Sequence, residues 1–573
     1  MSIGTPPITN FTAGEWSPLL YGRVEVARYG QACHTLKNMM LYPHGAATRR
    51  MGTEFCGQVD TASVRLIPFV FNAEQAYVLA LTPGRMQFFR LGGELENSAI
   101  ATPWTAYTDI AELNYCQSAD VMYFACRGVA PQKLMRTGAD TFSIAPVTFT
   151  AKPADWIADN WPRGVSFHQQ RLWFAGTDKQ PNKIWASTTG SFEDFTTGTD
   201  EDKAMVISLN ALVVNSIFWI YPVKSVLIAG TLGGEWVINN NGATGAITNK
   251  QIGAELNSNY GTASITPIMA GASCLHISED RRKLRDLAYN FAENSYVSTE
   301  LSLFGEHITW RGIKEVAYCQ NPMSIVWAVL KDGTLAGCTL LKEQEVIGWH
   351  RHETQGRVLS VACIPAGGFT ETWLAVEREN GVCIERMKEP WRGADTNEAG
   401  CWYVDCGLQL ESAAPVNTVN GLDHLEGQEV VVLADGAAHP VRTVRQGAIT
   451  LEDAASRVLV GLGVDWELSP LCIEGLSQRG TMQGKKARIL EVMVRVYQTL
   501  GLSYAWAGQL EAPFEAHNRD VDMAMDEAPK PFSGDYTFTL PNGWGPETRV
   551  VLSGENAFPA TVIMMAPKVA INE

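Results

Sequence analysis

The 573-residue chain lacks most of the spacings that announce chemistry. Its twelve cysteines include no CxxC pair and no regular framework. Most of them, Cys126, Cys319, Cys338, Cys363 and Cys383 among them, stand inside apolar runs. There a thiol behaves as a small hydrophobe in a reducing compartment. The closest pair, Cys401 and Cys406, has no companion cluster of Cys or His, so no metal site is expected from it. No apolar run reaches membrane-spanning length, and the first ten residues have neither the basic start nor the apolar core of a secretory signal. The reading is a chain made and kept soluble, with no membrane insertion of its own. A basic excess is missing too: 45 Lys and Arg against 61 Asp and Glu leave a net charge of −16. That excludes a general grip on nucleic acid, which requires cations to neutralise phosphates. It leaves open a surface along which DNA slides, since an acidic or neutral wall does not hold the backbone.

Catalytic motifs are equally scarce. Gly484-Lys485-Lys486 is no phosphate-binding loop, because Arg479 stands where the first Gly is needed and no Ser or Thr follows. No GxSxG is present, and Asp332-Gly333 is only a fragment of the Ser-x-Asp-x-Gly-x-x-Trp turn of sialidase-type propellers. A glycosidase needs two carboxylates facing each other across a cleft. Glu193, Asp194, Glu235, Glu279, Asp280 and Glu385 are available, but their spacing pairs none of them. His350 and His352 would share a strand face and could ligate a metal, with no third ligand nearby. Arg281-Arg282-Lys283 with Arg285 is the densest basic cluster. It reads as a solvated hairpin turn, or as a contact for an acidic partner or phosphate. The Trp residues at 173, 185, 219, 236, 327 and 373 lie within strand-like runs and read as core. No catalytic residue, metal or cofactor is expected.

What is present is a repeat. A short apolar run ending on Ala recurs with its last residue at 80, 125, 175, 229, 328 and 375, with a weaker copy ending on Ile277. The steps lie between 45 and 54 residues. Each run is followed by a breaker and a second strand-like segment, and Asp332-Gly333 and Asn380-Gly381 are strong hairpin signals. Four strands per unit fit that period, which is the size of a propeller blade. The expected fold is mainly β: a β-propeller of about seven blades, or six, over residues 61–400. Two stacked β-sandwiches are the alternative.

The ends of the chain differ from this body. Residues 401–475 contain short β runs between turns such as Asp435-Gly436 and read as a small β-barrel or sandwich. In residues 476–573 the run 487–497 alternates towards one apolar face, residues 520–530 read as an acidic loop, and three late β runs close a final sheet. Residues 1–60 read as an N-terminal assembly arm. Ser17 as N-cap and Pro18 at the first helical position predict a helix from 17, and a second short helix is expected around 32–40. On this reading the arm is removable, leaving a folded propeller.

Several stretches resemble the tail nozzle, or tail tubular, proteins of short-tailed bacteriophages. Asn10-Phe11 with Gly14-Glu15-Trp16-Ser17-Pro18, Gly22-Arg23 and Ala27-Arg28-Tyr29 is similar to that family's opening. Gly45 to Phe55 (GAATRRMGTEF) is the next landmark, with Met51 where the family usually has Pro. Phe167 to Thr177 (FHQQRLWFAGT), continuing to Ile184-Trp185-Ala186-Ser187 and Phe192, is the third, and Gly233-Gly234-Glu235-Trp236 the fourth. The resemblance implies a structural virion protein and not an enzyme. It implies a hexameric tube below the portal and adaptor ring, with an N- and C-terminal platform domain, through which the genome passes into the host. Partners would be further copies of the chain, the head-to-tail adaptor and a tail fibre or spike, with DNA passing without sequence-specific binding. Six copies at −16 each carry −96, which suits a conduit that must not hold DNA. Within that frame Arg23, Arg28, Arg49 and Arg50 are candidates for docking. Asp200, Glu201, Asp202, Asp520, Asp522, Asp526 and Glu527 are candidates for lining or gating the lumen. A glycan-binding or glycan-degrading propeller of a phage tail is the competing reading.

Overall fold

The Ala-ended runs recur because each is the second strand of a four-stranded antiparallel sheet. A computed structural model describes residues 2–210, 216–242, 245–391, 401–474, 481–507, 513–516 and 528–572. In it, Ala76–Thr82, Val121–Cys126, Arg171–Ala175, Val226–Thr231, Ser273–Ile277, Ile325–Leu330 and Phe369–Arg378 occupy that position in seven successive sheets. Ala80, Ala125, Ala175, Ala229, Ile277, Ala328 and Ala375 are all completely buried. A strand covered on both faces cannot alternate apolar with polar, and a small side chain lets the neighbouring sheet approach closely. Seven hydrophobic clusters fill the seven spaces between consecutive sheets, so the sheets are blades and the ring is a seven-bladed β-propeller.

The ring is closed by the start of the chain. Blade 7 takes its first three strands from Arg357–Ala366, Phe369–Arg378 and Gly381–Met387, and its fourth is Thr53–Val59. That strand runs antiparallel to the third, with Val59 opposite Val382 and Thr53 opposite Met387. Blade 7 then packs on blade 1 through a core that includes Val64, Leu66, Val78, Trp373 and Ile384.

Two blades continue outward into further β domains. Beyond Thr53–Val59 the blade 7 sheet adds Val404–Asn420, Ala448–Gly463, Glu429–Ala434 and Ala437–Thr443, which form the small domain around a core of its own. Beyond Val346–His352 the blade 6 sheet adds Gly14–Glu15, Ala32–Lys37, Trp466–Pro470, Val550–Gly554, Ser503–Trp506 and Phe514–Glu515. A second sheet, Met39–Leu41, Ala47–Arg49, Thr561–Ile571, Ala487–Thr499 and Phe532–Thr539, closes over the latter. Phe11, Leu36, Met39, Val494, Leu552 and Met565 pack between them. One sandwich is therefore built from both ends of the chain.

The opening stretch is thus extended and not helical. Ser17 does cap a turn, its Oγ accepting from the Leu19 nitrogen at 3.4 Å, but the turn is a 3-10 element confined to Pro18–Leu20. The segment expected as a second helix is two strands, Ala32–Lys37 and Met39–Leu41. Leu36 and Lys37 pair with Leu468 and Glu467, a partner far along the chain that overrides a weak local preference. The α-helices among the described residues are Tyr107–Glu112 and Glu306–Thr309, neither long nor apolar enough to cross a membrane. Because residues 1–60 supply a blade strand and half a sandwich sheet, they are not removable. A chain starting at residue 61 should be insoluble or unfold without a sharp transition. Solubility and a near-UV circular dichroism melt check this, and a cooperative melt like that of the full chain would contradict it.

Candidate functional site

The first strands of all seven blades surround an axial cavity of about 820 Å³. Its polar lining includes Arg65, Gln117, Tyr221, Arg281, Lys314 and Glu315. Two cations in the wall are committed: Arg65 donates to the carbonyls of Ile110 at 2.9 Å and Leu113 at 2.8 Å, and Lys314 Nζ to that of Leu359 at 2.6 Å. Glu315 accepts from Ser360 Oγ at 2.7 Å, and burial pushes its carboxyl up against the opposing pull of Arg65. None of the glycosidase candidates Glu193, Asp194, Glu235, Glu279, Asp280 and Glu385 lines this cavity. Glu193 binds Lys133 at 2.6 Å and Tyr123 at 2.8 Å, and Glu385 pairs with Arg378 at 2.7 Å. Glu193 thus links blade 3 to blade 2, and Glu385 serves blade 7.

A buried polar constellation lies where the opening stretch meets blade 6. Gly14, at φ +72°, sits against the backbone of Trp349, where any Cβ would collide with the Trp349 nitrogen at 2.4 Å. That approach lets Glu15 enter the interior. Its carboxylate accepts from the Leu36 nitrogen at 2.8 Å, contacts His307 Nε2 at 2.8 Å and pairs with Arg351 at 2.8 Å. Burial alone would raise this carboxyl, but the His307 bond and the Arg351 charge outweigh it and hold it low. Trp16 stacks on Phe304 at 5.0 Å. The Gly-Glu-Trp-Ser-Pro landmark is therefore a plug in the outer end of blade 6. The third landmark is a blade 3 hairpin: Gln169 and Gln170 form its left-handed turn, and Arg171 ties its base by donating to the Lys203 carbonyl at 2.8 Å and the Glu201 carbonyl at 2.7 Å.

Arg49 and Arg50 overturn their expected role. Arg49 is 1% exposed and donates to the carbonyls of Phe558 at 2.7 Å, Asn556 and Val464; burial pushes its guanidinium down to about 10. Arg50 makes a fork-on-fork pair with Asp405 at 3.0 and 2.9 Å, and both side chains are buried. Burial opposes the Asp405 charge, but Arg50 holds the carboxyl low. Neither arginine can reach another subunit, because each bonds the opening stretch to later parts of its own chain. Arg23 is exposed and pairs with Glu25. Arg28 is half-buried and donates to the Thr12 carbonyl at 3.1 Å. Asp200, Glu201 and Asp202 are exposed in the turn before the outermost strand of blade 3. There the Asp200 carbonyl accepts from Asn249 at 2.8 Å and Glu201 lies 3.8 Å from Lys250. They do not line the axial cavity. Asp520, Asp522, Asp526 and Glu527 lie outside the described residues.

His350 and His352 do share a face, as expected, but they face the core. His350 Nδ1 lies 2.6 Å from His352 Nε2, His350 Nε2 lies 3.1 Å from Thr339 Oγ1, and Trp327 packs on both rings. Burial presses His350 down to about 3 and His352 well below the ordinary imidazole value. At the basic cluster Arg282 lies over the ring of Trp310 at 4.1 Å and Arg285 over Tyr260 at 3.4 Å, so the hairpin is braced by aromatics. Glu315 has no signal in the sequence, and Glu15, Glu385 and Cys406, though each stands in a stretch considered there, are not marked for these partners. No local pattern brings Cys383, Glu385 and Cys406 together.

The fold and its junctions define a seven-bladed β-propeller that carries two β domains on adjacent blades. No family model matches the chain, and no curated protein matches it. Among solved structures it is similar to the β-propeller domain of Cps50 (Swd1) from Myceliophteria thermophila. The TM-score is 0.40 at 10% identity, over 59% of this chain and 100% of that domain.

Two outcomes follow from the buried charges. Removing one partner of a buried pair leaves the other uncompensated, so Asp405→Ala should lower stability by about 3–5 kcal/mol, read from the urea midpoint. A His with a depressed folded pKa contributes stability that is complete above its unfolded value and is lost as pH falls. The urea midpoint should therefore drop as pH falls below about 6.5. In a His350→Gln/His352→Gln variant the slope between pH 7.5 and 5 should flatten, whatever its starting stability.

Proposed function

We propose that the chain is the nozzle subunit of a short phage tail, a structural virion protein that assembles into a ring-shaped conduit. The reading is a homo-oligomer, six copies by the family resemblance, docked below the adaptor and bordering the path of DNA ejection. The observation that carries it is where the landmarks fall. Gly14 to Pro18 plug blade 6, Arg49 and Arg50 fix the opening stretch to both added domains, and Arg171 ties a blade hairpin. The residues that carry the resemblance are thus joints of architecture, as a structural subunit requires, and none forms a paired-carboxylate cleft.

The acid excess supports a conduit through which DNA moves without being held. Arg23 and Arg28 keep their place as docking candidates. A glycan-binding tail protein is the second reading, favoured by Trp310 and Tyr260, which are each 54% exposed beside the basic hairpin. The mass of the purified full-length protein in solution separates the two. A ring of six should appear near six times 62.7 kDa, with ring-shaped particles in negative stain. A monomer at every concentration that binds or cleaves a host-surface polysaccharide would replace the nozzle reading with the second.

A further inference from the structure

Three metal-ligand side chains meet where blade 7 joins the small domain. Cys383 and Glu385 are two residues apart on Gly381–Met387 and share a face. Cys406 lies at the start of Val404–Asn420, on the other side of Thr53–Val59. The two sulfurs and a carboxylate oxygen all lie within 4.8 Å of one another, and all three residues are 0% exposed. The two thiols come from strands on either side of Thr53–Val59 and converge on one point. Such convergence suits a bridging ion: tetrahedral bonds of about 2.3 Å hold two sulfurs roughly 3.8 Å apart.

The surroundings fix these groups as a second layer fixes ligands. Glu385 accepts from Arg378 Nε at 2.8 Å and Nη2 at 2.7 Å, and Thr53 also donates to it. Oε2 is taken by Arg378 and Thr53, while Oε1 keeps a lone pair beyond its Arg378 bond. Gln58 Nε2 reaches Cys383 Sγ at 3.8 Å, the Cys406 nitrogen donates to Thr53 Oγ1 at 2.9 Å, and His424 Nε2 lies 3.2 Å from the Cys406 carbonyl. Arg50 and Arg378 already balance Asp405 and Glu385.

We propose that Cys383, Cys406 and Glu385 bind one thiophilic divalent cation of the zinc type, which ties blade 7 to the small domain. Two S–H bonds break, two metal–sulfur bonds form and two protons leave to solvent, so the net charge of the buried network is unchanged and no electron is transferred. Glu385 supplies the third ligand and a water the fourth. The site is independent of the nozzle reading.

The test uses the full-length protein, stripped with a chelator and titrated with Co²⁺. One equivalent per chain should give the visible bands of tetrahedral cobalt with thiolate charge transfer, and release two protons. Zn²⁺ should bleach the bands and raise the melting temperature. Cys383→Ser and Cys406→Ser should each abolish them, and native mass spectrometry of the unstripped protein gives a reading that needs no variant. A folded protein that takes up no metal, bands that persist in the double Ser variant, or a mapped Cys383–Cys406 disulfide would each overturn the proposal.

Discussion

Everything in this chain depends on one strand reaching backward. Blade 7 lacks its outer strand until Thr53–Val59 pairs with Gly381–Met387, and the small domain lacks its attachment until Val404–Asn420 meets the same strand. A propeller left open exposes a row of unpaired backbone groups on the last blade and a cut hydrophobic core beside it. The chain secures that strand with charge as well as with the ladder. Arg50, just before it, forks onto Asp405, while Thr53 at its first position bonds Glu385 and the Cys406 nitrogen. Gly52 allows this, since a Cβ there would stand 2.0 Å from the Val404 carbonyl oxygen.

A buried ion pair is not by itself a source of stability, because desolvation offsets much of the attraction. Its value here is specificity. Arg50 and Arg49 have one arrangement each that satisfies them, and those arrangements set the register of the opening stretch against the propeller, the small domain and the terminal sandwich together. Glu15 does the same one blade earlier, with Leu36, His307 and Arg351. The three domains are thereby placed relative to one another by groups that would be costly to leave unpaired.

The propeller was legible because its signal is repeated. One apolar tetrapeptide ending on Ala is weak, but the same run at a near-constant step shows that each copy does the same job, and each proves to be a buried second strand. The opening stretch carried no such repetition. Its apolar residues fall at mixed spacings that suit a helix or a strand, and the choice was made by Trp466–Pro470, which lies more than four hundred residues on. The paired arginines were misread for a related reason. Two adjacent cations on an acidic chain look like surface, and only the fold brings Asp405 to one and three carbonyls to the other. His350 and His352 were correctly placed on one face, but periodicity cannot say whether a face meets solvent or Trp327. Glu315 and the Cys383 group depend on neighbours from other strands, so no window of sequence contains them.

Closure by the first strand also orders events during synthesis. A ribosome delivers residues 53–59 long before their partner strand, and the sandwich that buries Phe11 and Leu36 cannot be completed until Thr561–Ile571 has emerged. For most of translation the nascent chain therefore carries an unpaired strand and an uncovered apolar face at its leading end. Contacts of such long sequence separation form slowly. Blades 1 to 6 can therefore form before the beginning and the end of the chain are sealed, almost together.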